Sequence, residues 1–342
     1  MKKKVLFLTS SAHISGAENV ILTIIKALRA EYDFAYATLG EGDIFSQLEK
    51  QDIKYYVMKK SNQASLNKIL KQFQPDIIHA NDFKASILLA FSKYSGKKIS
   101  HIHQCPPFIQ TNNLKSWIYK RSIPKYNCVI SVSDAFIQKS VFQKELGNKF
   151  QVIPNIIDTG RIDAATSSID TTSYDFAYFG RLEEDKNPLG FIDIIKEYKD
   201  LTHNSCKCIM VGDGSLKELC QSKIKEYGLT DSIKMVGFLI NPFEEISKAR
   251  VVLMPSKNEG FGLTAVESMY LGKPVLSSGV GGLGEIFHNH LELICKDTVE
   301  YIGKIGDIFQ NYEQYQKVAK EIASDYVDIE TWANYFRTIY DV

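Results

Sequence analysis

Short apolar runs that alternate with amphipathic stretches constrain the fold of this chain more than any other feature. In the first half, seven such runs lie at 5–9, 34–39, 54–57, 76–80, 98–103, 128–132 and 151–154. Helical patterns separate them, for example at 17–30 and 83–94. Because strands that alternate with helices form parallel sheets covered on both faces, we predict a doubly wound α/β domain here.

A second series of the same kind follows a polar, strand-poor stretch at 159–174. Its apolar runs lie at 176–179, 207–211, 233–236, 251–254, 274–277 and 291–294. The tail, from 312 to 342, carries only helical patterns. We therefore predict two doubly wound α/β domains, residues 1–158 and 159–325, joined near 158–173.

The charge balance gives no reason to expect nucleic acid as a partner. The 342 residues include 41 Lys and Arg against 40 Asp and Glu, a net charge of +1, whereas nucleic-acid binding relies on a basic surface. The six cysteines lack a zinc-like spacing. The apolar stretch at 5–9 is too short for a signal peptide, and no run approaches the roughly 20 residues that span a bilayer. We expect a soluble or peripheral protein in a reducing compartment.

A segment with two carboxylates and a glycine-bracketed turn, residues 259–267, follows the apolar run at 251–254. Gly260 and Gly262 leave room for a ligand beside the backbone, and the helix expected after the turn would offer free N–H groups to a phosphate. Glu259 lies in the loop, whereas Glu267 lies more than one turn inside the helix and can accept hydrogen bonds from a ribose diol. A solvated helix after a glycine turn is the alternative.

Two cations follow the apolar run at 176–179 in the segment that begins at Gly180. Arg181 supplies a planar fork and Lys186 a point charge, and together they suit a diphosphate at the sheet edge that also carries Glu259. The alternative is a surface loop whose cations pair with the neighbouring acidic residues at 183–185.

Two more glycine loops follow apolar runs. Gly212 lies in the sequence Val-Gly-Asp-Gly-Ser at 211–215, which lacks the full G-x-G-x-x-G pattern, so a tight turn is expected there. The stretch at 277–285 has four glycines, which indicates close approach of the backbone to another group.

In the first half, the loop Ser15-Gly16 joins the first strand to the first helix, and two histidine sites follow strands. His79 lies near the end of the apolar run at 76–80, and His101 and His103 share one face of the run at 98–103 by strand alternation. A histidine at a strand end is either a packed residue or a ligand contact, and we select His103 for a functional role. The histidine spacing does not indicate a zinc site.

The segment 112–127 mixes basic and aromatic residues, with Lys115, Lys120 and Arg121 among them. A helix of this composition can lie on an anionic membrane surface. An ordinary exposed helix explains the pattern equally well, and the sequence leaves both readings open.

As an ordered set, these motifs resemble family-4 glycosyltransferases of the GT-B architecture. The resemblance covers nearly the whole chain and is strongest from 176 to 287, where the cation loop, the Gly-Asp-Gly turn, the carboxylate segment and a Gly-Gly-x-x-Glu loop follow in the family's order. Three positions depart from it. The family often has glycine where Ser15 stands, a second histidine where Asn81 stands and proline where Gly284 stands.

The resemblance implies two Rossmann-like domains that face a cleft, with the C-terminal helix, about 326–342, crossing back to the N-terminal domain. The N-terminal domain would bind the acceptor and the C-terminal domain the nucleotide-sugar donor. No cofactor and no essential metal are expected. The implied catalytic residues are His103, Arg181, Lys186 and Glu259. The implied donor-binding residues are Gly16, Gly180, Arg181, Lys186, Gly212, Glu259, Gly260, Phe261, Gly262, Leu263 and Glu267.

The function implied is that of a retaining hexosyltransferase. It would move a sugar from a nucleotide-diphosphate sugar, with UDP favoured, to a hydroxyl of a glycan or lipid-linked acceptor during synthesis of a cell-surface polysaccharide such as a capsule. The expected location is cytoplasmic, with peripheral contact at the inner face of the membrane. The alternatives are a GT-B sugar-nucleotide epimerase or phosphorylase and a non-catalytic subunit that binds sugar nucleotides for a partner.

Overall fold

The chain divides into two compact units, each built on one parallel sheet. The computed structural model describes residues 1–166 and 173–341, so part of the predicted linker at 158–173 lies outside the described residues. One unit comprises Met1–Ile156 and Ile329–Val342, and the other comprises Ile157–Asp328. The α/β class predicted from the alternating apolar runs is confirmed in both units.

The first unit contains a seven-stranded sheet in which neighbouring strands run parallel. Its strands are β1 Lys4–Leu8, β2 Asp33–Leu39, β3 Lys54–Met58, β4 Ile77–Ala80, β5 Lys97–Ile102, β6 Cys128–Ser131 and β7 Phe150–Val152. Its first seven helices are α1 Gly16–Leu28, α2 Ile44–Lys50, α3 Gln63–Phe73, α4 Phe83–Ala90, α5 Leu114–Ser122, α6 Ala135–Lys139 and α7 Gln143–Leu146. The strand order is β3-β2-β1-β4-β5-β6-β7, so the order reverses between β1 and β4.

The second unit contains a five-stranded parallel sheet in the order β10-β9-β8-β11-β12. Its strands are β8 Tyr174–Phe179, β9 Cys208–Val211, β10 Ile233–Gly237, β11 Ala249–Met254 and β12 Val275–Ser277. Its helices are α8 Thr159–Ala165, α9 Pro188–Thr202, α10 Lys217–Glu226, α11 Phe243–Ser247, α12 Leu263–Tyr270, α13 Gly282–Ile286, α14 Thr298–Gln310 and α15 Tyr312–Ser324. The order reverses between β8 and β11.

The last helix, α16 Ile329–Asp341, packs on the first unit, as the resemblance implied. Trp332, Phe336 and Tyr340 are buried there, whereas Tyr335 is exposed, and packing of these three rings accounts for the aromatic spacing in the tail. The indole Nε1 of Trp332 donates to the carbonyl oxygen of Pro154 at 2.8 Å, and the hydroxyl of Tyr340 lies 2.8 Å from Nδ1 of His79. Buried polar atoms at the helix surface therefore have partners in the first unit.

The lysines at the start of the chain bind the carboxyl ends of helices. Lys2 donates to the carbonyl oxygen of Arg29 after α1, Lys4 to that of Phe73 at the end of α3, and Lys3 to the last turn of α16. Helices in a parallel α/β unit end at the edge where the strands begin, and cations stabilise helix carboxyl ends. The basic start of the chain therefore has a structural role within the first unit.

Two predicted elements differ from the structure. The run at 291–294 is not a strand: Leu291–Leu293 forms a 3₁₀ turn, and only Ile294 makes an isolated bridge, to Ser277. Leu291 is exposed and does not reach the sheet, so the segment is too short to form a further strand beside β12. The helix predicted at 83–94 ends at Ala90, where the chain turns through residues 91–93.

Candidate active site

The loops that follow β8 and β11 in the second unit carry the candidate site. These two strands are neighbours at the point where the strand order reverses, and ligands of open α/β sheets bind at that point, beyond the carboxyl ends of the strands. The loop after β8 contains Arg181 and Lys186, and the loop after β11 contains Glu259. The topology thus brings three predicted site residues to one edge.

Lys186 and Glu259 form an ion pair across these loops. Lys186 Nζ lies 2.7 Å from Glu259 Oε2, and the two side chains are only 17% and 12% exposed. The ammonium also donates to the carbonyl oxygen of Asn258 at 3.5 Å. An ammonium group has three donors, so one donor remains for a ligand while the pair stays intact.

The backbones of the two loops are joined as well. The carbonyl oxygen of Asp185 accepts from the amides of Lys257 at 2.9 Å and Asn258 at 3.0 Å. The side chain of Asn187 donates through Nδ2 to the carbonyl oxygen of Pro255 at 3.0 Å. Because these three hydrogen bonds join the loops, Lys186 and Glu259 are held on a common frame rather than on two independent loops.

Arg181 lies in the same loop as Lys186, and its side chain is 48% exposed. Its NH2 group is 2.8 Å from Asp185 Oδ2, and its carbonyl oxygen accepts from the buried hydroxyl of Tyr178 at 2.8 Å. The backbone of Arg181 is thus anchored, while its cationic head is screened by one carboxylate and water. Such a group can exchange its carboxylate for phosphate oxygens at low cost.

Two glycines permit the close approach of the loops. At Gly212, whose φ is +150°, a Cβ atom would lie 1.8 Å from the carbonyl oxygen of Gly180. At Gly281, whose φ is +59°, a Cβ atom would lie 1.9 Å from the carbonyl oxygen of Glu259. The glycine loops after β9 and β12 therefore support the cation loop and the carboxylate loop from either side.

Helix α12 begins directly after Gly262, which adopts a φ of +114° and provides no side-chain cap. The first N–H groups of α12 are therefore available to an anion. Phe261, one residue earlier, is buried and packs edge-on against Tyr326, with ring centroids 5.4 Å apart. This contact fixes the direction in which the chain enters the helix.

Glu267 lies one turn into α12 and is partly buried. Burial raises the pKa of Glu267 to about 7, and the positive charge of Arg161 opposes that shift. Among residues 1–166 and 173–341, no hydrogen bond or ion pair holds this carboxylate. A partly buried carboxylate without a partner is costly, so its position suits a group that binds a ligand hydroxyl.

At the corresponding edge of the first unit, Asp82 joins the loops after β1 and β4. Its two carboxylate oxygens accept from the amides of Ser10 at 2.6 Å and Ala85 at 2.8 Å. In the loop after β1, Gly16 begins α1, and the Ser15 hydroxyl donates to the buried carboxylate of Glu18. Burial raises the pKa of Glu18.

A stack of histidines occupies the carboxyl ends of β4 and β5. Nε2 of His79 lies 3.1 Å from Nδ1 of His101, and the rings of His101 and His103 have centroids 4.0 Å apart. Burial lowers the pKa of His103 to about 3 and that of His79 to about 3 as well. All three imidazoles are therefore neutral at physiological pH.

Two family models match this chain, one after the other. The model described as Glycosyltransferase Family 4 matches residues 14–161, and the model described as Glycosyl transferases group 1 matches residues 161–324. This chain belongs to glycosyltransferase family 4. Its two parallel-sheet α/β units are those of the GT-B fold.

Relatives of this family-4 glycosyltransferase span most of its length. The capsular polysaccharide biosynthesis glycosyltransferase CapH of Staphylococcus aureus is 26% identical over 88% of this chain and 90% of its own. The O-antigen biosynthesis glycosyltransferase WclY of Escherichia coli is 26% identical over 83% and 82% of the two chains. The crystal structure of Anabaena HepE in complex with UDP and glucose matches with a TM-score of 0.83, at 20% identity, over 99% of both chains.

The segment of this glycosyltransferase predicted to be a basic, aromatic helix forms α5. Leu114 and Trp117 are 71% and 52% exposed, and the guanidinium of Arg121 stacks over the Trp117 ring at 4.4 Å. Lys120, in contrast, pairs with Glu145 at 2.8 Å. The described residues contain no helix long and apolar enough to cross a bilayer.

Several residues that shape the site of the glycosyltransferase were not predicted as site residues. Arg161 affects the pKa of Glu267, although the segment from 159 to 174 was predicted only as a polar, strand-poor connection between the domains. Asp185 and Asn187 join the two loops through contacts that span about seventy residues of sequence. Asn81 contacts His103, whereas the sequence marked it only as a departure from the family's second histidine.

Proposed function

We propose that this glycosyltransferase transfers a hexosyl group from a UDP-sugar to a hydroxyl of a glycan or lipid-linked acceptor, with retention at the anomeric carbon. The acceptor would be an intermediate in the synthesis of a cell-surface polysaccharide. The observation that carries the proposal is the Lys186–Glu259 pair at the reversal point of the second sheet. The pair puts a cation for a diphosphate beside a carboxylate for sugar hydroxyls.

We assign the donor to the second unit in three parts. Arg181, Lys186 and the free N–H groups at the start of α12 would bind the diphosphate and stabilise the charge that develops as it departs. Glu267 would accept hydrogen bonds from the ribose diol. Glu259 and the backbone at 260–263 would hold the hydroxyls of the transferred sugar.

In the first unit, we assign Gly16 and His103 to substrate contact. Gly16 begins α1 and exposes its backbone to an anion. His103 would contact a sugar hydroxyl as a neutral group. The bond between the anomeric carbon and the diphosphate oxygen breaks, the acceptor oxygen bonds to the same face of that carbon, and the proton of the acceptor hydroxyl leaves with the departing diphosphate. This step requires positioning more than acid–base catalysis by a side chain.

The names of the relatives support the choice of donor and pathway. CapH acts in capsular polysaccharide biosynthesis and WclY in O-antigen biosynthesis, so a surface polysaccharide is the acceptor class we propose. HepE was crystallised with UDP and glucose, which supports UDP as the nucleotide. We also propose that no metal is essential, because Arg181 and Lys186 can supply the positive charge that the diphosphate needs.

We expect the purified protein to release UDP from a UDP-sugar only when a glycan or lipid-linked acceptor is present, at a rate that EDTA does not change. Nucleotide release across a panel of UDP-, GDP- and ADP-sugars measures this, and NMR of the product reports the anomeric configuration. An inverted product would contradict retention. Isomerisation of the donor without acceptor would indicate an epimerase. Dependence of the reaction on free phosphate would indicate a phosphorylase, and absence of turnover would indicate a non-catalytic subunit.

We further propose that α5 binds an anionic membrane surface from the cytoplasmic side. Trp117 and Leu114 supply an apolar face of the kind found at bilayer interfaces, and Lys115 and Arg121 supply positive charge. Because Lys120 is paired with Glu145, we expect it to contribute less than these two cations.

Replacing Lys115 and Arg121 with Gln should therefore weaken binding to vesicles that contain anionic lipid by more than about tenfold, since each cation near such a surface contributes about 1 kcal/mol. Vesicle sedimentation measures the effect. The matched control replaces Lys68 and Lys71, two exposed lysines of α3, with Gln and should bind as the wild type does. Equal binding by both double variants would contradict the assignment to α5.

A further inference from the structure

The side chain of Asn81 is held in one orientation. Asn81 follows β4 and is only 3% exposed. Its backbone N–H donates to the carbonyl oxygen of Leu8 at 2.9 Å, and its side-chain Nδ2 donates to the carbonyl oxygen of His79 at 2.8 Å. Since a carbonyl oxygen can only accept, the amide nitrogen must point toward His79, and Oδ1 must point the other way.

This orientation determines where His103 carries its proton. Asn81 Oδ1 lies 3.3 Å from Nε2 of His103, and a carbonyl oxygen needs a donor, so Nε2 must be protonated. In the opposite tautomer, a lone pair on Nε2 would face a lone pair on Asn81 Oδ1 at this contact, which is repulsive. It would also leave an N–H at Nδ1, which is buried and has no hydrogen-bond partner among the described residues.

The other groups around His103 leave it neutral. Among the described residues, the titratable groups that face it are His101, two residues earlier in the chain, and His79 on β4. Both are buried, and Tyr340 of α16 contacts His79. Burial also lowers the pKa values of His79 and His101. In the described part of the chain, residues 1–166 and 173–341, no charged partner is therefore in place to stabilise an imidazolium at His103.

We propose that Asn81 is a positioning residue that holds His103 as a single neutral tautomer, with the proton on Nε2 and the ring in a fixed plane. This inference rests on the proposed function in one respect, because it assumes that His103 contacts a substrate. A fixed imidazole presents the same edge to the sugar in every turnover. A free ring would sample two tautomers and two orientations related by a ring flip. Asn81 acts only through His103 and does not itself touch the reacting atoms.

Two substitutions separate this role from simple packing. Asn81→Leu keeps the approximate size of the side chain but removes both the donor and the acceptor. Asn81→Asp keeps an oxygen that accepts from Nε2, whether its carboxyl group is ionised or protonated. At pH 8 it offers no donor to His79. If the acceptor matters, Asn81→Asp resembles the wild type; if the donor or the packing matters, it resembles Asn81→Leu.

The first readout is the tautomer itself. In the full-length protein labelled with ¹⁵N-histidine, ring nitrogen shifts distinguish protonated from bare nitrogens, and the His103 signals are assigned by their loss in His103→Phe. We expect a protonated Nε2 and a bare Nδ1 in the wild type and in Asn81→Asp. In Asn81→Leu we expect averaged shifts from both tautomers. Wild-type shifts in Asn81→Leu would overturn the proposal.

The second readout is kinetic. We expect Asn81→Leu to lower kcat by roughly tenfold to a hundredfold, as small misplacements of a substrate contact do, with little change in KM for the donor. Because Asn81 acts through His103, adding Asn81→Leu to His103→Phe should cost no further activity. Independent, multiplying losses would overturn the positioning role. If no donor supports turnover, the proposed function fails, while the ring nitrogen shifts still decide the tautomer.

Discussion

We expect Lys186→Ala to lower kcat for sugar transfer by about 10²- to 10³-fold, the usual cost of removing one donor that stabilises developing negative charge. Lys186 is the least exposed cation of the candidate site, and its ammonium is fixed by Glu259 at 2.7 Å and by the carbonyl oxygen of Asn258. It can therefore act on a departing diphosphate without reorganising. Steady-state rates of nucleotide release with acceptor present measure the loss.

The chain contains a matched control for this substitution. Lys257 lies in the partner loop and pairs with Glu184, but its side chain is 55% exposed. Lys257→Ala removes the same charge and also breaks one ion pair, so it should keep most of the activity. If both variants lose activity equally, the general charge of the loops, rather than Lys186, is responsible.

A loss of stability must be separated from the loss of transfer in Lys186→Ala. Removing Lys186 leaves the carboxylate of Glu259 partly buried and unpaired, which destabilises a fold. The double variant Lys186→Ala/Glu259→Ala removes that charge, so we expect its melting temperature to recover while its activity stays low. Recovery of activity together with stability would show that Lys186 acts only through folding.

We expect Glu267→Gln to weaken nucleotide binding and to stabilise the protein at the same time. Loss of a charge-assisted hydrogen bond costs about 1.5–3 kcal/mol, which corresponds to roughly tenfold to a hundredfold in Kd. Glu267→Gln should stabilise the protein because the ionised carboxylate is unfavourable where it is buried. Burial raises the pKa of Glu267 to about 7 from the usual value of 4.5. Calorimetric titration with nucleotide measures the first effect.

The gain in stability of Glu267→Gln over the wild type should increase as the pH rises. Below pH 4.5 the carboxyl group is protonated in both the folded and the unfolded chain, so the substitution changes little. Between pH 4.5 and 7 the unfolded chain ionises first, and above pH 7 the folded chain must hold a partly buried charge. Glu267→Gln should therefore be more stable than the wild type by about 1–3 kcal/mol at pH 8 and nearly equal to it at pH 4.

Denaturant titrations at pH 4 and pH 8 test this dependence. The control is Glu321→Gln, which removes a carboxylate from the exposed face of α15 and should show no comparable change between the two pH values. A Glu267→Gln variant that is less stable than the wild type at pH 8 would mean that its carboxylate has a stabilising partner, contrary to the geometry of α12.

The sequence was sufficient to predict the fold class because its signal is local and repeated. Each buried strand is a short apolar run, and each run is followed by a helical pattern, so the alternation predicts parallel sheets. The run at 291–294 failed this rule because periodicity alone cannot distinguish a strand from a short buried turn. Only Ile294 reaches the sheet there, through a single bridge to Ser277.

The candidate site could be predicted only as a list of residues at one sheet edge. Lys186 and Glu259 follow neighbouring strands, so their proximity follows from topology, but the 2.7 Å contact between them depends on Asp185 and Asn187 joining the loops. Such contacts between distant segments leave no periodic signal. The same holds for Arg161 near Glu267, because α8 precedes α12 by about a hundred residues.

The central claim is that the Lys186–Glu259 pair marks a diphosphate site, and paired titrations test it most directly. UDP, GDP and ADP, and in separate experiments UMP, GMP and AMP, are titrated into the wild type, Lys186→Ala and Lys257→Ala. The affinity of each diphosphate is then compared with that of the corresponding monophosphate. We predict that the preferred nucleoside diphosphate binds the wild type and Lys257→Ala at least about tenfold more tightly than its monophosphate, a difference of about 1.4 kcal/mol. In Lys186→Ala this preference should largely disappear. Equal affinity for mono- and diphosphate in the wild type, or an undiminished preference in Lys186→Ala, would contradict the claim.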